Sequence, residues 1–124
     1  MPTLANPRPS PIAGRWYEGN PRRLSQQVDA YLSQARLPAL PGQVVGLVAP
    51  HAGHIYSGRT AGHAFRAVQG QNFDLVIVAS PLHAYHPAPL LTSAHAAYET
   101  PLGLIPIDPQ SLAQFSQALQ DLGA

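Results

Sequence analysis

The sequence predicts an α/β fold with a mostly parallel sheet flanked by helices. Two aliphatic runs, at residues 44–49 and 75–79, are continuous and lack polar alternation, which is typical of strands buried on both faces. A segment with helical spacing of apolar residues lies between them. Strand, helix and strand therefore follow within about 35 residues and predict one right-handed βαβ unit. At 124 residues, the chain is predicted to form a single domain over residues 1–124.

The elements before the first turn follow from local patterns. Residues 1–12 are rich in proline and are expected to be extended or disordered. An Asn-Pro pair at 20–21 is typical of a helix start, since Asn is a good N-cap and Pro suits the first helical position. Apolar residues at helical spacing, Tyr31 among them, then predict an amphipathic helix over 21–36. A strand over 43–49 follows a loop rich in proline.

The elements predicted after residue 57 add few strands to the sheet. They are a helix over 58–69, strands over 74–79, 90–97 and 104–108, a turn over 99–103 between the last two strands, and a final helix over 109–122. Asp108 is predicted to cap that last helix, with Pro109 at its first position. The strand over 104–108 contains a proline and is predicted to be a short edge strand. Because only two or three core strands remain, where a sheet usually has about four to six, the sheet is expected to be incomplete.

Composition excludes several classes of function. The formal net charge is +1, which does not favour nucleic acid or acidic membranes as partners. The chain has no cysteine, so disulfides and thiolate metal ligands within it are excluded. The N-terminus lacks the apolar segment of a secretory signal, and no run approaches the ~18 apolar residues of a membrane helix. A cytoplasmic protein is therefore expected.

Two histidines each follow an aliphatic run in a turn that contains proline. His51 follows the first run and His83 the second. The carboxyl ends of neighbouring parallel strands meet at one edge of a sheet, where ligands gather, and neutral imidazole is the commonest protein metal ligand. A shared metal site is therefore predicted. The competing interpretation is that each is a turn histidine bound to nearby backbone.

The same region supplies further candidates. His54, Tyr56 and His63 are predicted to support the ligands or to form the pocket wall, although a histidine inside a helix, such as His63, is more often a core residue. Two histidines do not complete a site, because zinc takes three or four protein ligands and non-haem iron typically takes two histidines and a carboxylate. The missing ligand is either Glu99 or lies outside this chain.

Other chemistries have weaker signals. The chain has no dinucleotide-binding or P-loop motif, and its serines near histidines lie outside a nucleophile elbow. Backbone N–H groups of residues 56–58 precede the predicted second helix and could bind an anion. No catalytic residue is assigned.

Four segments of the chain occur in the order of a known family. They are A-G-R-W-Y at 13–17, A-P-H-A-G-H-I-Y-S-G at 49–58, S-P-L-H at 80–83 and Y-E-T-P-L-G at 98–103. Their order and spacing resemble the N-terminal part of the Memo-like family, from about residue 10 to the end. The block at 49–58 is specific, whereas the first and last segments are individually weak.

The resemblance implies a fold similar to the catalytic subunit of extradiol dioxygenases, which are non-haem iron enzymes. His51 and His83 match the two family histidines that line a cleft at the dioxygenase metal position. Iron or copper is the implied metal. The resemblance also implies partners. Bacterial members are of the AmmeMemoRadiSam system protein B type and look linked to radical-SAM and AMMECR-type proteins. Eukaryotic members are associated with cell-motility signalling. This chain departs from the family at Ala84, which stands where members have a second histidine.

Family members are roughly twice as long as this chain or longer, on the scale of one large α/β domain. A further histidine and a cysteine complete the family's cleft downstream, and nothing in this chain matches them. The resulting expectation is a metal-binding, dioxygenase-like oxidoreductase whose domain is incomplete and inactive as this short chain alone. The alternatives are a non-catalytic peptide- or anion-binding module and an inactive truncated fragment. An exposed sheet edge would favour self-association.

Overall fold

The computed structural model describes residues 6–122, which form two compact units. Residues 11–76 make the helical unit, and residues 6–10 with 77–122 make the sheet unit. Three helices and a three-stranded sheet confirm the α/β class. The prediction of a single domain stays a prediction, and the part of the extended N-terminus at 1–5 lies outside the described residues.

The first helix of the helical unit confirms the predicted helix. Helix α1 spans Pro21–Gln34, and the side chain of Asn20 accepts a hydrogen bond of 3.2 Å from the backbone N–H of Arg23. This bond satisfies one of the N–H groups that a helix start leaves without an intrahelical partner. Leu24 is buried on the inner side of α1, and Ala35 is buried just after its end.

The second helix begins four residues earlier than predicted. Helix α2 spans His54–Arg66, with Gly53 as its N-cap. The backbone N–H groups of Tyr56 and Ser57 both donate to the carbonyl of Gly53, at 2.9 and 3.1 Å. Residues 54–57, which the sequence pattern places before the helix, are therefore already its first turn. At its other end α2 gives way to a turn at 67–70, so the predicted end at 69 is too late.

The two helices pack closely because α2 carries glycines at the contact. Gly58 and Gly62 are buried and lie one helical turn apart. A Cβ atom on Gly58 would lie 2.5 Å from Cε2 of Tyr31, and one on Gly62 would lie 2.7 Å from the backbone oxygen of the same residue. Both distances are far below van der Waals contact, so α1 approaches α2 only where no side chain intervenes.

The sheet is mixed, which corrects the prediction of a mostly parallel one. Strand β1 (Pro7–Arg8) pairs in parallel with β2 (Ala97–Thr100), which forms an antiparallel hairpin with β3 (Gly103–Pro106). Ala97 is completely buried. The antiparallel pair arises because only two residues separate the two strands, and a parallel pair needs a long crossover.

Local hydrogen bonds fix the hairpin turn. The Thr100 hydroxyl donates to the carbonyl of Gly103 at 2.9 Å and accepts from the N–H of Leu102 at 3.1 Å. Gly103 has a φ of +128°, a conformation that residues with a Cβ rarely adopt. The turn predicted at the Thr-Pro-Leu-Gly segment is therefore present.

The last helix also confirms its prediction. Helix α3 spans Pro109–Asp121, and the Asp108 side chain accepts a hydrogen bond of 2.9 Å from the N–H of Ser111. Hydrogen bonds from the hydroxyl and the backbone N–H of Ser111 lower the pKa of the Asp108 carboxyl. Among residues 6–122, no helix is long and apolar enough to cross a membrane.

The strands predicted at 43–49 and 74–79 are wrong, and the strand predicted at 90–97 begins only at Ala97. A buried strand exists through hydrogen-bonded neighbours and covered faces. Within the described residues, neither aliphatic run belongs to a sheet, and Val45, Val48, Ile77 and Val78 are 82–98% exposed. The aliphatic pattern is real, but the ladders that would make it a βαβ unit are not formed.

A substitution at the helix contact tests this packing. Replacing Gly62 with Ala should raise helix propensity by ~1 kcal/mol, yet overpacking costs about 1–3 kcal/mol. Because the new methyl would meet backbone, which cannot rotate away, we expect the overpacking cost to lie in the upper part of that range, so the free energy of unfolding should fall by about 1–2 kcal/mol. Urea denaturation measures the change. The control is Thr60→Ala, at an exposed position of the same helix. If Gly62→Ala has the same free energy of unfolding as the control, the close contact between the helices is contradicted.

Candidate functional site

His54 is held by three residues from two segments of the helical unit. Its backbone N–H donates to the carbonyl of Trp16 at 2.8 Å. Its own carbonyl accepts from the hydroxyl of Tyr31 at 3.0 Å, and its ring Nδ1 lies 3.0 Å from Oε1 of Gln27. The residue that begins α2 is therefore bound through its N–H, its carbonyl and its ring at once.

The contact with Gln27 selects one tautomer of the His54 ring. An amide oxygen only accepts hydrogen bonds, so Nδ1 carries the proton and Nε2 keeps its lone pair. Among the described residues, Nε2 has no hydrogen-bond partner. The ring of Tyr17 lies 5.5 Å away, centroid to centroid, and that of Tyr31 meets the imidazole edge-on at 6.0 Å. The imidazole is thus fixed in orientation.

Burial lowers the pKa of His54 below its ordinary value of 6.5. The cause is desolvation, which penalises the charged imidazolium. The ring is therefore neutral at physiological pH, and its open nitrogen is a hydrogen-bond acceptor.

His51 lies in the loop that leads into α2, and its side chain is exposed. The residues after it are anchored. Gly53 is buried so close to Trp16 that an added Cβ would lie 3.1 Å from the Trp16 carbonyl oxygen, and the Ser57 hydroxyl donates to the carbonyl of Ala52 at 3.1 Å. An exposed imidazole thus stands immediately before a fixed helix start.

Tyr56 and His63 lie on other faces of α2 than His54. Tyr56 is 82% exposed. His63 is also exposed, and its Nδ1 lies 2.8 Å from the carbonyl oxygen of Arg59, one turn back in the same helix. The interpretation of His63 as a core histidine is therefore wrong. The role of these two residues in a pocket wall stays a prediction.

His83 belongs to the sheet unit, where it is exposed in a bend. In the part of the chain that is described, no three His, Asp or Glu side chains form a group that could hold a metal ion. The pairing of His51 and His83 stays a prediction.

The anion site predicted at residues 56–58 is not available. The N–H groups of Tyr56 and Ser57 are bonded to the carbonyl of Gly53, and that of His54 to the carbonyl of Trp16. Donors that are already used inside a helix turn cannot also cradle an anion. The error follows from placing the helix start at residue 58.

Gln27 and Tyr31 were not identified as site residues from the sequence. Tyr31 was assigned to the apolar face of α1, and Gln27 lies one turn before it on the same face. A signal was present in α2, since His54, Gly58 and Gly62 recur every four residues. That spacing indicates one face of a helix, but only if the helix begins by residue 54.

Comparison with known proteins shows the family to which the chain belongs. The model of the family described as Memo-like protein matches residues 8–122, which include the loop with His51, the helix α2 and the bend with His83. The chain belongs to the Memo-like family.

Relatives of this Memo-like chain occur in archaea and eukaryotes. A MEMO1 family protein of Nitrosopumilus maritimus is 30% identical over 109 residues, which cover 85% of this chain and 40% of the relative. The MEMO1 family protein MHO1 of Saccharomyces cerevisiae is 32% identical over 82% of this chain and 30% of its own length. Protein MEMO1 of Xenopus tropicalis is 35% identical over 77% of this chain and 32% of its own length. The chain thus spans well under half of these curated relatives.

The donors of this Memo-like chain suit a transition metal only in part. Imidazole nitrogen is a good ligand for iron and copper. As ligands, His51 and His83 would supply two such donors, which is fewer than the three protein ligands of a typical site. Their chemistry fits the implied metal, and a complete site needs a further donor.

The burial of His54 makes stability depend on pH. The unfolded chain takes up a proton on this residue near pH 6.5, whereas the folded chain does so only at lower pH. The His54 contribution to stability is therefore complete above 6.5 and decreases as the pH falls from 6.5 through the lower pKa of the folded state. Urea denaturation between about pH 5 and 8 should show this decrease.

Two variants test whether His54 causes the pH dependence of stability. His54→Gln should flatten the profile in this window, whereas His63→Gln, which alters an exposed histidine of the same helix, should keep it. Equal profiles for the two variants would show that the burial of His54 does not carry the effect.

Proposed function

We propose that this chain is a metal-binding part of a Memo-like protein, with His51 and His83 as ligands. The observation that supports the proposal is the placement of His51. Its imidazole is exposed, and it stands next to a helix start that Trp16 and Ser57 anchor. A ligand held near its binding position loses little conformational entropy when a metal binds.

The proposed metal is iron or copper, and the proposed activity of the whole protein is that of a metal-dependent oxidoreductase with a dioxygenase-like domain. A redox metal supplies one-electron chemistry when it is bound. The residues of this chain contribute two imidazole donors, and His54 adds a neutral ring nearby in sequence. The remaining donor is either Glu99 or a residue from outside this chain.

The whole-protein setting is part of the same proposal. The protein acts in the cytoplasm as a system protein B of the AmmeMemoRadiSam type, with radical-SAM and AMMECR-type partners. Self-association is a further proposal, because all four residues of β3 are exposed and β3 is the edge of the sheet.

Copper titration of the purified chain tests the ligand assignment. Wild-type protein should bind Cu(II), and His51→Ala and His83→Ala should each lower the affinity at least about tenfold, because each removes one of two donors. Isothermal titration calorimetry with a competing chelator measures the affinity.

His86→Ala is the matched control, since His86 is an exposed histidine and its Nδ1 accepts a hydrogen bond from the nearby N–H of Ala88. It should bind Cu(II) as wild type does. Equal affinity in all four proteins, or an equal loss in all three variants, would exclude His51 and His83 as the specific ligands.

A further inference from the structure

We infer that Gln27 and Tyr31 of helix α1 are positioning residues for His51, acting through His54. The inference rests on the proposed role of His51 as a ligand. Neither residue reaches the metal in this proposal. They fix the first turn of α2, and that turn fixes the loop in which the ligand stands.

The first step is the convergence of contacts on a single residue. Gln27 holds the ring of His54 through Nδ1 at 3.0 Å, and Tyr31 holds its carbonyl at 3.0 Å. Both come from one face of α1, since they are four residues apart. The third contact, from the carbonyl of Trp16, approaches from another segment. A helix start bound from two segments cannot rotate or fray freely.

The second step is the close approach that makes those contacts reachable. His54, Gly58 and Gly62 form one stripe along α2. Tyr31 lies against both glycines, at distances where an added Cβ would overlap it. Any larger residue in this stripe would move α1 outward and would draw the Tyr31 hydroxyl away from the His54 carbonyl.

The third step connects the anchored turn to His51. Only Ala52 and Gly53 separate His51 from His54. Gly53 is buried against Trp16, and the carbonyl of Ala52 accepts from the Ser57 hydroxyl in α2. With both connecting residues bound, the backbone position of His51 follows the first turn of α2. This arrangement is the one by which supporting hydrogen bonds orient a metal ligand.

The chain offers conservative variants that separate positioning from folding. Gln27→Met keeps the length and the unbranched shape of the side chain but removes the acceptor oxygen. Gln27→Glu keeps an acceptor oxygen toward Nδ1. Tyr31→Phe keeps the aromatic ring that packs against Gly58 and removes only the hydroxyl. Gln26→Met, at the exposed neighbouring position of the same helix, is the matched control.

The affinity of the folded chain for Cu(II) is the first measurement. Gln27→Met and Tyr31→Phe should each lower it by about tenfold, which is the usual effect of losing a residue that supports a ligand. Gln27→Glu should restore the affinity, and Gln26→Met should leave it unchanged. Loss of thermal stability with unchanged affinity in both variants would show that the two residues are merely structural, and would overturn the inference.

A metal-free measurement keeps the inference independent of the proposed function. The ring correlations of His51 in a ¹H–¹³C spectrum report its surroundings. They should shift or broaden in Gln27→Met and in Tyr31→Phe, and should stay in place in Gln26→Met. If the wild-type chain binds no Cu(II), the proposed function fails, and these spectra alone decide the positioning role. Unchanged His51 signals in both variants would overturn it.

Discussion

The close contact between α1 and α2 at Tyr31 supports the rest of the helical unit. Gly58 and Gly62 allow the ring and the backbone of Tyr31 to approach α2 at distances that exclude a methyl group. That approach brings Gln27 and the Tyr31 hydroxyl within hydrogen-bond distance of His54. Few large side chains are buried in this unit, so specific contacts, rather than a large apolar core, define the relation of the two helices.

Features that depend on neighbouring residues could be predicted from the sequence. The starts of α1 and α3 were correct because Asn20 and Asp108 provide caps and a proline follows each. The hairpin turn at residues 100–103 was also correct, since Thr and Gly define it locally. The start of α2 was placed too late, because its N-terminal support comes from Trp16, which is distant in sequence.

Features that depend on pairing partners could not be predicted from the aliphatic pattern. The runs at 44–49 and 75–79 have the composition of buried strands, but a strand needs a neighbour to bond with. Among the described residues that neighbour is absent, and the mixed sheet forms elsewhere, from residues 7–8 and 97–106. The contacts of His54 could not be predicted for a similar reason, since its partner Gln27 carries no motif.

We propose a metal site because the chain belongs to the Memo-like family and because His51 stands beside an anchored helix start. The family match covers nearly all described residues, and the anchored loop presents His51 to solvent. The anion-binding account is weakened, because the backbone donors it needs are bonded within α2. At the centre of this proposal, His51 and His83 each contribute one imidazole to a single ion.

Pulsed electron paramagnetic resonance of the Cu(II)-loaded chain tests that claim most directly, because it counts the imidazole nitrogens coupled to the metal. The account predicts two coupled imidazoles in the wild-type chain and one in His83→Ala. A single imidazole in the wild-type chain, or the same spectrum after His83→Ala, would contradict it.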